Sequence, residues 1–313
     1  MEMKNKDYGR VGVLMGGPSS EREISLKSGT AVFKALSELG LDAVAIDITS
    51  ADSRATESLI ASQKIDCAFV ALHGCFGEDG QIQRLLEGMR IPYTGSGPAA
   101  SRTALDKDSS RTVFIEHGLP VPDCVICRRG RDLPFQSILS LGFPVVVKPA
   151  TQGSSIGLSI IDNKEELQPA LSAAFEYDEK VLAEKYVKGR ELTVSVLQEK
   201  ALPVIEIIPK RRFFDFEAKY QQGLTEYILP ARLDPGVARR CQDLAVACHR
   251  ALGCRGCSRT DMIMDASGAI FLLETNTIPG LTATSLLPKA AKLEGMDFPR
   301  LCLRLLDSAY EKK

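Results

Sequence analysis

The chain has 313 residues, of which 44% are hydrophobic and 25% are charged, and its formal net charge is −1. These values are typical of a soluble globular protein with more than one domain. A net charge near zero argues against binding to nucleic acid or to a membrane surface through bulk electrostatics. The N-terminus has no apolar signal region, and no apolar run reaches about 18 residues, so we expect a cytoplasmic protein without a membrane segment.

Strands and helices alternate over the first third of the sequence. Strands are predicted over residues 11–15, 43–48, 66–72 and 91–94, and helices from about residue 21 to Gly40 and over 81–89. This alternation predicts an α/β domain with a doubly wound parallel sheet, which we assign to residues 1–105. Ligands bind such sheets in the loops that follow the carboxyl ends of the strands. The loops 16–21 and 73–80 are therefore candidate binding loops.

The remaining two thirds mix strands and helices without regular alternation, which predicts α+β units over 106–188 and 189–313. Helices are predicted over 107–116, 133–141, 164–176, 236–252, 285–294 and 298–311. Strands are predicted on both sides of the glycine-containing loop near 153–157, and over 181–186, 191–197, 201–208, 258–265 and 271–276. Residues 209–230 have no clear period and predict a long loop. A loop of that length is usually functional, and often a lid.

The stretch FLLETNTIPG, residues 271–280, has the pattern of a strand that ends in polar side chains before a Pro-Gly stop. Side chains alternate faces along a strand, so Glu274 and Asn276 point the same way. A second strand-like run lies upstream, and in it Arg259 and Asp261 have the same spacing. The two runs predict a β-hairpin with polar groups on one face of its open end.

The pairing of these side chains depends on the hairpin loop. A two-residue loop at 267–268 places Asp261 opposite Glu274 and Arg259 opposite Asn276, with Cβ atoms roughly 4.5–5.5 Å apart. A three-residue loop breaks this register. Two adjacent carboxylates repel each other unless a cation lies between them, and oxygen ligands of this kind suit Mg²⁺ or Mn²⁺. The alternative is an ordinary solvated strand end.

Lys148 ends the apolar run FPVVV and is followed by a loop that contains Gly153 and Gly157. A lysine at the end of a buried strand either extends its charge to solvent or binds an anion. The loop can expose backbone N–H groups to phosphate oxygens, although it is not a Walker A loop. Together with a downstream pair of acids, these features favour a metal-nucleotide site over a simple tight turn.

Several further polar residues have two interpretations each. Glu184 and Glu191 could contact the base and the ribose of a nucleotide, or form ordinary surface salt bridges. His73, in a glycine-rich loop, could contact a substrate or support the loop. Tyr220, in the long loop, could close over a ligand. Ser154 is poorly supported as a hydrolytic nucleophile, because no GxSxG elbow surrounds it.

Nine cysteines raise the question of a metal site or disulfides. The two CxxC pairs, at 124–127 and 254–257, are too far apart for a zinc ribbon. We expect reduced, partly buried thiols in a reducing compartment.

Ten stretches together resemble the D-alanine–D-alanine ligases of the ATP-grasp superfamily. They are GGPSSEREISLKSG, HGCFGEDG, IPYTGSG, LDK, VVKPATQGSSIG, EKYVKGRELTVSV, EAKY, RTDMIMD, LLETNTIPGLT and SLLPKAA, and they extend from residue 16 to residue 291. Each stretch is only modestly specific, but their order and spacing make the match highly specific. The resemblance implies three domains in an ATP-grasp arrangement, with a nucleotide held between the sheets of the central and C-terminal domains.

The resemblance also implies roles for individual residues at the nucleotide. Lys107 and Lys148 correspond to phosphate-binding lysines. The other nucleotide contacts it implies are Ser155, Glu184, Lys185, Val187, Glu191 and Lys219. Asp261, Glu274 and Asn276 correspond to the ligands of two Mg²⁺ or Mn²⁺ ions.

At the amino-acid substrates, the resemblance implies that Glu21 fixes the ammonium of the first D-alanine and that His73 lies near its carboxylate. Ser154 and Tyr220 correspond to hydrogen-bonding partners of Glu21. Arg259 and the Gly280 N–H correspond to the groups that stabilise the tetrahedral oxyanion. Ser285 and Leu286 correspond to the clamp on the carboxylate of the second D-alanine.

The implied reaction is the ATP-dependent joining of two D-alanine molecules through an acyl phosphate, by a homodimer, for peptidoglycan precursor synthesis. Two alternatives stay open. One is a ligase that accepts D-lactate or another second substrate, and Tyr220 argues against the hydroxy acid. The other is a nucleotide-binding regulatory protein without activity, which would have no need for the complete set of lysines, acids and arginine. A nicotinamide oxidoreductase is a weaker alternative, since the glycine fingerprint is absent.

Overall fold

The computed structural model describes residues 7–210 and 225–310, and within them the chain forms three β-sheets. The first sheet is parallel and has the order β2–β1–β3, with β1 at Val11–Gly16, β2 at Ala43–Ile48 and β3 at Cys67–Val70. Helices α1 (Arg22–Glu38), α2 (Ser53–Ser62) and α3 (Gln81–Gly88) connect and follow these strands.

The two faces of β1 belong to different cores. Val13 packs in the same cluster as Val32 of α1, whereas Leu14 packs with Ile60 of α2 and Ile82 of α3. This division follows from the alternation of side chains along a strand. Helices therefore cover both faces of the sheet, and the predicted doubly wound parallel sheet is confirmed.

Two features of this region differ from the sequence-based predictions. Residues 91–94 form a single bridge between Tyr93 and Ala68 rather than a strand, because Pro92 has no N–H with which to extend the pairing. Helices α2 and α4 (Pro98–Leu105) were not predicted. The sequence of α2 is mostly polar and buries only Thr56 and Ile60, so its apolar pattern is weak.

The second sheet is antiparallel and has the order β4–β7–β5–β6. Its strands are β4 (Cys124–Arg128), β5 (Val145–Pro149), β6 (Ser159–Ile161) and β7 (Lys180–Lys185). The helices of this region are α5 (Lys107–Glu116), α6 (Phe135–Ser140) and α7 (Leu167–Phe175). One face packs Val145, Val147 and Ala183 in a core with α7. Lys148 and Glu184, at alternate positions, therefore lie on the opposite face.

The third sheet has the order β11–β10–β8–β12–β13, and β9 pairs with β8. Its strands are β8 (Gly189–Leu197), β9 (Lys200–Ala201), β10 (Ile205–Pro209), β11 (Thr225–Ile228), β12 (Cys257–Asp265) and β13 (Ile270–Asn276). Helix α8 (Pro235–Ala251) packs against one face. The prediction of a loop over all of 209–230 was wrong at β11. Four residues are too few to show a period, and the strand is held by its pairing with β10.

The C-terminal helices α9 (Leu286–Leu293) and α10 (Phe298–Asp307) join the first and third sheets. Their apolar faces share one core with residues of β1, α1 and β10. The predicted boundaries after residues 105 and 188 stay a prediction, although each sheet lies within one of the three predicted ranges. Among the helices of the described residues, none is both long and apolar enough to cross a membrane.

Candidate active site

The loop between β12 and β13 has three residues, so the two-residue loop on which the expected pairing depended is not present. Asp265 N donates to Ala269 O at 2.9 Å, and Gly268 N donates to Asp265 O at 3.0 Å. Gly268 has a φ of +83°, which is the left-handed conformation that a three-residue hairpin requires at this position. This turn shifts the pairing by one residue from the predicted register.

A β-bulge at Leu273 reverses that shift before the open end of the hairpin. Met262 pairs with Leu272, but the next pair is Asp261 with Glu274, so one extra residue lies on β13. Arg259 then pairs with Asn276. The predicted pairs are therefore confirmed, because the longer loop and the bulge cancel each other.

Cationic side chains already neutralise the two opposed carboxylates. Arg259 donates to both oxygens of Asp261, at 2.9 and 2.7 Å, and Thr193 Oγ1 donates to the same carboxylate at 2.6 Å. Lys107 Nζ lies 3.2 Å from Glu274 Oε2. Thr193 was not predicted as a site residue, and its sequence context contains no signal beyond its place in a strand.

The donor set at this strand end fits a hard divalent cation in its chemistry. Asp261, Glu274 and Asn276 offer two carboxylates and an amide oxygen on adjacent strands, and Mg²⁺ and Mn²⁺ prefer oxygen ligands. Asn276 Oδ1 accepts a hydrogen bond from Ile278 N at 2.7 Å and keeps a second lone pair. Within residues 7–210 and 225–310, no group of three or more Asp, Glu, His or Cys residues could hold a metal by itself.

Two cavities meet at this point. The larger has a volume of about 800 Å³ and lies among α1, the His73 loop and the 280–286 loop. The smaller has a volume of about 140 Å³ and lies between the second and third sheets. Lys107 and Glu274 line both cavities. A ligand in one cavity can therefore contact a ligand in the other beside these two side chains.

The smaller cavity contains a buried ion pair. Lys148 Nζ lies 2.9 Å from Glu184 Oε1, and the two side chains are 8% and 6% exposed. Burial alone would lower the pKa of Lys148, but the negative charge of Glu184 outweighs it, and the pKa is raised. The surface salt bridge considered for Glu184 is therefore excluded. Most of the other residues that line this cavity are apolar.

The glycine-containing loop joins the two cavities. Its conformation is unusual, because Ser154 and Ser155 have φ values of +53° and +59°. Thr151, at the start of the loop, donates through N and Oγ1 to Asp178 Oδ2 at 2.8 and 2.7 Å. Ser154 Oγ donates to Glu21 Oε1 at 2.5 Å. The loop thus carries one serine to the smaller cavity and the other to the larger one.

Two loops of the parallel sheet form the opposite wall of the larger cavity. Ser19 Oγ donates to His73 O at 2.6 Å and accepts from Glu21 N at 3.2 Å, so Ser19 ties the two loops together. His73 Nδ1 lies 3.5 Å from Glu78 Oε1. Burial raises the pKa of Glu78, the His73 contact opposes this rise, and the charge of Glu21 adds to it. Sequence reasoning missed Glu78, although an acid among glycines in a loop after a strand was a usable signal.

The N-terminus of α9 forms the third wall. Ser285 is the N-cap residue, and its Oγ accepts from Thr282 N at 3.1 Å. A Cβ atom at Gly280 would lie only 2.9 Å from Ser285 Oγ, so any larger residue would have to displace the Ser285 hydroxyl. Backbone N–H groups at a helix N-terminus bind carboxylates and other anions. The prediction that Ser285 and Leu286 lie at a helix N-terminus is confirmed.

All predicted site residues among the described residues line one of the two cavities. The larger cavity is lined by Glu21, His73, Ser154, Arg259, Asn276, Gly280, Ser285 and Leu286. The smaller cavity is lined by Lys148, Ser155, Glu184, Lys185, Val187, Glu191 and Asp261. Lys107 and Glu274 line both, and Lys219 and Tyr220 lie outside the described residues. Their individual roles stay predictions.

The predicted cysteine chemistry agrees with the structure, in which all nine cysteines are free thiols. Seven of them are buried.

Comparison with known proteins identifies the family. Residues 113–307 match the model of the C-terminal part of D-alanine–D-alanine ligases, and residues 49–96 match that of the N-terminal part. A relative named D-alanine–D-alanine ligase from Geotalea uraniireducens is 47% identical over 312 residues, which are 99% of this chain and 98% of the relative. One of the same name from Geobacter sulfurreducens is 47% identical over 305 residues, 97% of this chain and 95% of the relative.

Solved structures that resemble this chain come from the same family as these relatives. The crystal structure of the D-alanine–D-alanine ligase from Bacillus anthracis has a TM-score of 0.87 and 36% identity, over 96% of this chain and 97% of that one. The structure of the same ligase complexed with ATP has a TM-score of 0.85 and 34% identity, with the same coverage. The chain thus belongs to the D-alanine–D-alanine ligase family and has its ATP-grasp fold.

Proposed function

We propose that this protein joins two D-alanine molecules to D-alanyl-D-alanine, with cleavage of ATP to ADP and phosphate. The oxygen lost from the first carboxylate leaves as part of the phosphate. The observation that carries the proposal is the shared wall formed by Lys107 and Glu274. A carboxylate can be activated only if it reaches the γ-phosphate, and the two cavities meet at these side chains. The names of the relatives support the choice of substrates.

The first half-reaction transfers the γ-phosphoryl group to the carboxylate of one D-alanine. Glu21 is placed to bind the substrate ammonium, because its carboxylate lines the larger cavity and is oriented by Ser154. Lys107 and Lys148, which both line the smaller cavity, supply positive charge to the phosphates. Mg²⁺ or Mn²⁺ held by Asp261, Glu274 and Asn276 would neutralise phosphate charge there.

In the second half-reaction, the amine of the second D-alanine attacks the carbonyl carbon of the acyl phosphate. The peptide C–N bond forms, the C–O bond to the phosphate breaks, and phosphate leaves with the proton that the amine loses. The carboxylate of the second D-alanine is bound at Ser285 and Leu286, at the N-terminus of α9. Arg259 and the Gly280 N–H stabilise the oxyanion of the tetrahedral adduct. Because Arg259 is paired with Asp261 in this structure, we expect it to exchange that partner for the oxyanion during turnover.

The second substrate defines the main alternative. A ligase for D-alanine and D-lactate would need the same nucleotide site and would differ where the acceptor binds. Tyr220 favours the amino acid, and we expect Tyr220→Phe to allow some coupling of a hydroxy acid. Unchanged dipeptide specificity in that variant would show that Tyr220 does not decide the choice.

The test is release of phosphate from ATP and Mg²⁺, with identification of the product, for D-alanine, L-alanine, and D-alanine plus D-lactate. The proposal predicts release with D-alanine alone and D-alanyl-D-alanine as product. Release only with D-lactate present would identify a depsipeptide ligase. No release by folded protein that binds ATP would favour the non-catalytic alternative.

We further propose a cytoplasmic location, since ATP is a substrate, and a role in peptidoglycan precursor synthesis, which consumes this dipeptide. The family resemblance implies a homodimer. Its mass in solution, measured by light scattering, tests that part of the proposal.

A further inference from the structure

Ser28 joins two loops that lie on opposite sides of the larger cavity. It lies within α1 and is fully buried. Its Oγ is 3.1 Å from His73 Nε2 and accepts a hydrogen bond from Leu281 N at 3.3 Å. His73 belongs to the loop after β3, and Leu281 directly follows Gly280. One buried hydroxyl therefore connects the loop of the first substrate with the loop of the oxyanion donor.

The Leu281 N–H can only donate, so Ser28 Oγ accepts from it. The direction of the bond between Ser28 Oγ and His73 Nε2 depends on the tautomer of His73, because a hydroxyl can donate or accept. The other ring nitrogen of His73 is Nδ1. That atom faces the buried Glu78 carboxylate, 3.5 Å away. Ser28 thus joins His73 and Leu281 through hydrogen bonds, and the Glu78 carboxylate lies beside the other edge of the His73 ring.

The hydrogen bond from Leu281 N to Ser28 affects the orientation of Gly280, because glycine has little conformational preference of its own. The peptide between residues 280 and 281 is planar, so a bond to the Leu281 N–H fixes the plane on one side of the Gly280 Cα. On the other side lies the Gly280 N–H, and among the described residues it donates to no protein acceptor. Its direction depends on the two dihedral angles of Gly280, one of which this bond restrains.

We propose that Ser28 is a positioning residue whose hydroxyl holds the Leu281 N–H and thereby aims the Gly280 N–H at the oxyanion. The inference rests on the proposed function and extends it, since Ser28 lines neither of the two cavities. Through His73, the hydroxyl also links the oxyanion loop to the loop that binds the first substrate. The second half-reaction, which forms the tetrahedral adduct, is the step that depends on it.

Ser28→Ala tests the proposal, and Ser25→Ala is its matched control. Ser25 is equally buried on the same helix. Its Oγ donates to Ala71 O at 2.8 Å, directly after β3, and no hydrogen bond joins it to His73 or Leu281 among the described residues. Both variants lose one buried hydroxyl, which makes two hydrogen bonds in Ser28 and one in Ser25, so a general effect on α1 appears in both. Urea unfolding establishes that each variant is folded before its activity is measured.

The expected result is a fall in kcat for dipeptide formation of roughly 10- to 100-fold, less than the ~10²–10³-fold loss on removing an oxyanion donor itself. KM for ATP should stay at the wild-type value. Phosphate release should exceed dipeptide formation, because an acyl phosphate that is not attacked hydrolyses. Ser28→Cys, with a weaker donor and acceptor of similar shape, should fall between the wild type and Ser28→Ala.

The inference is overturned if Ser28→Ala has the kcat and the ratio of phosphate to dipeptide of Ser25→Ala. It is also overturned if phosphate and dipeptide fall together with a raised KM for D-alanine, which would indicate a loss of substrate binding. The wild-type protein is measured in the same assay, because the inference rests on the proposed function. If the wild type forms no dipeptide, the proposed function is wrong. If it does, the comparison of Ser28→Ala with Ser25→Ala tests the inference alone.

Discussion

Replacing Lys148 with methionine removes one partner of a buried ion pair and leaves the Glu184 carboxylate without its cation. The charged atoms lie 2.9 Å apart, and more than nine tenths of each side chain is buried. Breaking such a pair costs about 3–5 kcal/mol, because the remaining charge is buried without compensation. We expect Lys148→Met to lower the free energy of unfolding by about this amount.

Two further variants separate stability from ligand binding. Lys148→Met combined with Glu184→Leu removes both charges and should recover most of the lost stability, but not the affinity for ATP. Lys164→Met is the surface control, since its pair with Glu165 spans 3.9 Å and both side chains are at least 70% exposed. It should change the free energy of unfolding by less than about 0.5 kcal/mol.

Urea unfolding followed by circular dichroism gives the stabilities, and titration calorimetry gives the affinity for ATP. The pH dependence is a second check. Because the pKa of Lys148 is raised above 10.5, the stabilisation by the pair is complete below that pH and is lost as the pH rises through the higher folded-state value. Equal stability of Lys148→Met and Lys164→Met would refute the assignment of a buried, energetically important pair.

Three other substitutions test the larger cavity. Glu274→Gln removes the carboxylate that lines both cavities and should abolish phosphate release while the unfolding midpoint changes little; near-normal activity would exclude the metal assignment. Gly280→Ala brings a Cβ to 2.9 Å from Ser285 Oγ and should lower kcat by about 10-fold or more, measured by dipeptide formation. Glu78→Gln should be more stable than the wild type at pH 8. Burial raises the pKa of Glu78 in the folded state. The wild type therefore loses stability as the pH rises through this raised pKa and the buried carboxyl becomes charged, whereas Glu78→Gln stays neutral. A stability difference that shrinks between pH 4 and pH 8 in urea unfolding would contradict this reasoning.

The sequence by itself determined the elements whose signals are local. The apolar run before Lys148 gave a strand, and alternation along it put the lysine on the face opposite Val147. Ser285 was predicted at a helix N-terminus and is the N-cap of α9. Such features depend on a few consecutive residues, because periodicity and capping act over one or two turns or strand positions.

The hairpin shows how far local signals can be trusted. Its pairs at the site were predicted correctly, although the loop length was not. The bulge at Leu273 has no signal in the sequence, because the pairing with the neighbouring strands decides whether a strand can contain an extra residue. Only the sheet, in which β12 is also paired with β8, decided the register.

The tertiary structure alone decided which charges and hydroxyls meet. Asp261 and Glu274 were expected to need a metal, yet Arg259 and Lys107 neutralise them in this structure. Ser28 and Leu281 are 253 residues apart, and nothing near either one predicts their contact. Partners so distant are selected by the packing of helices and sheets, which fixes which buried polar groups can satisfy one another, and no local pattern of residues encodes that choice.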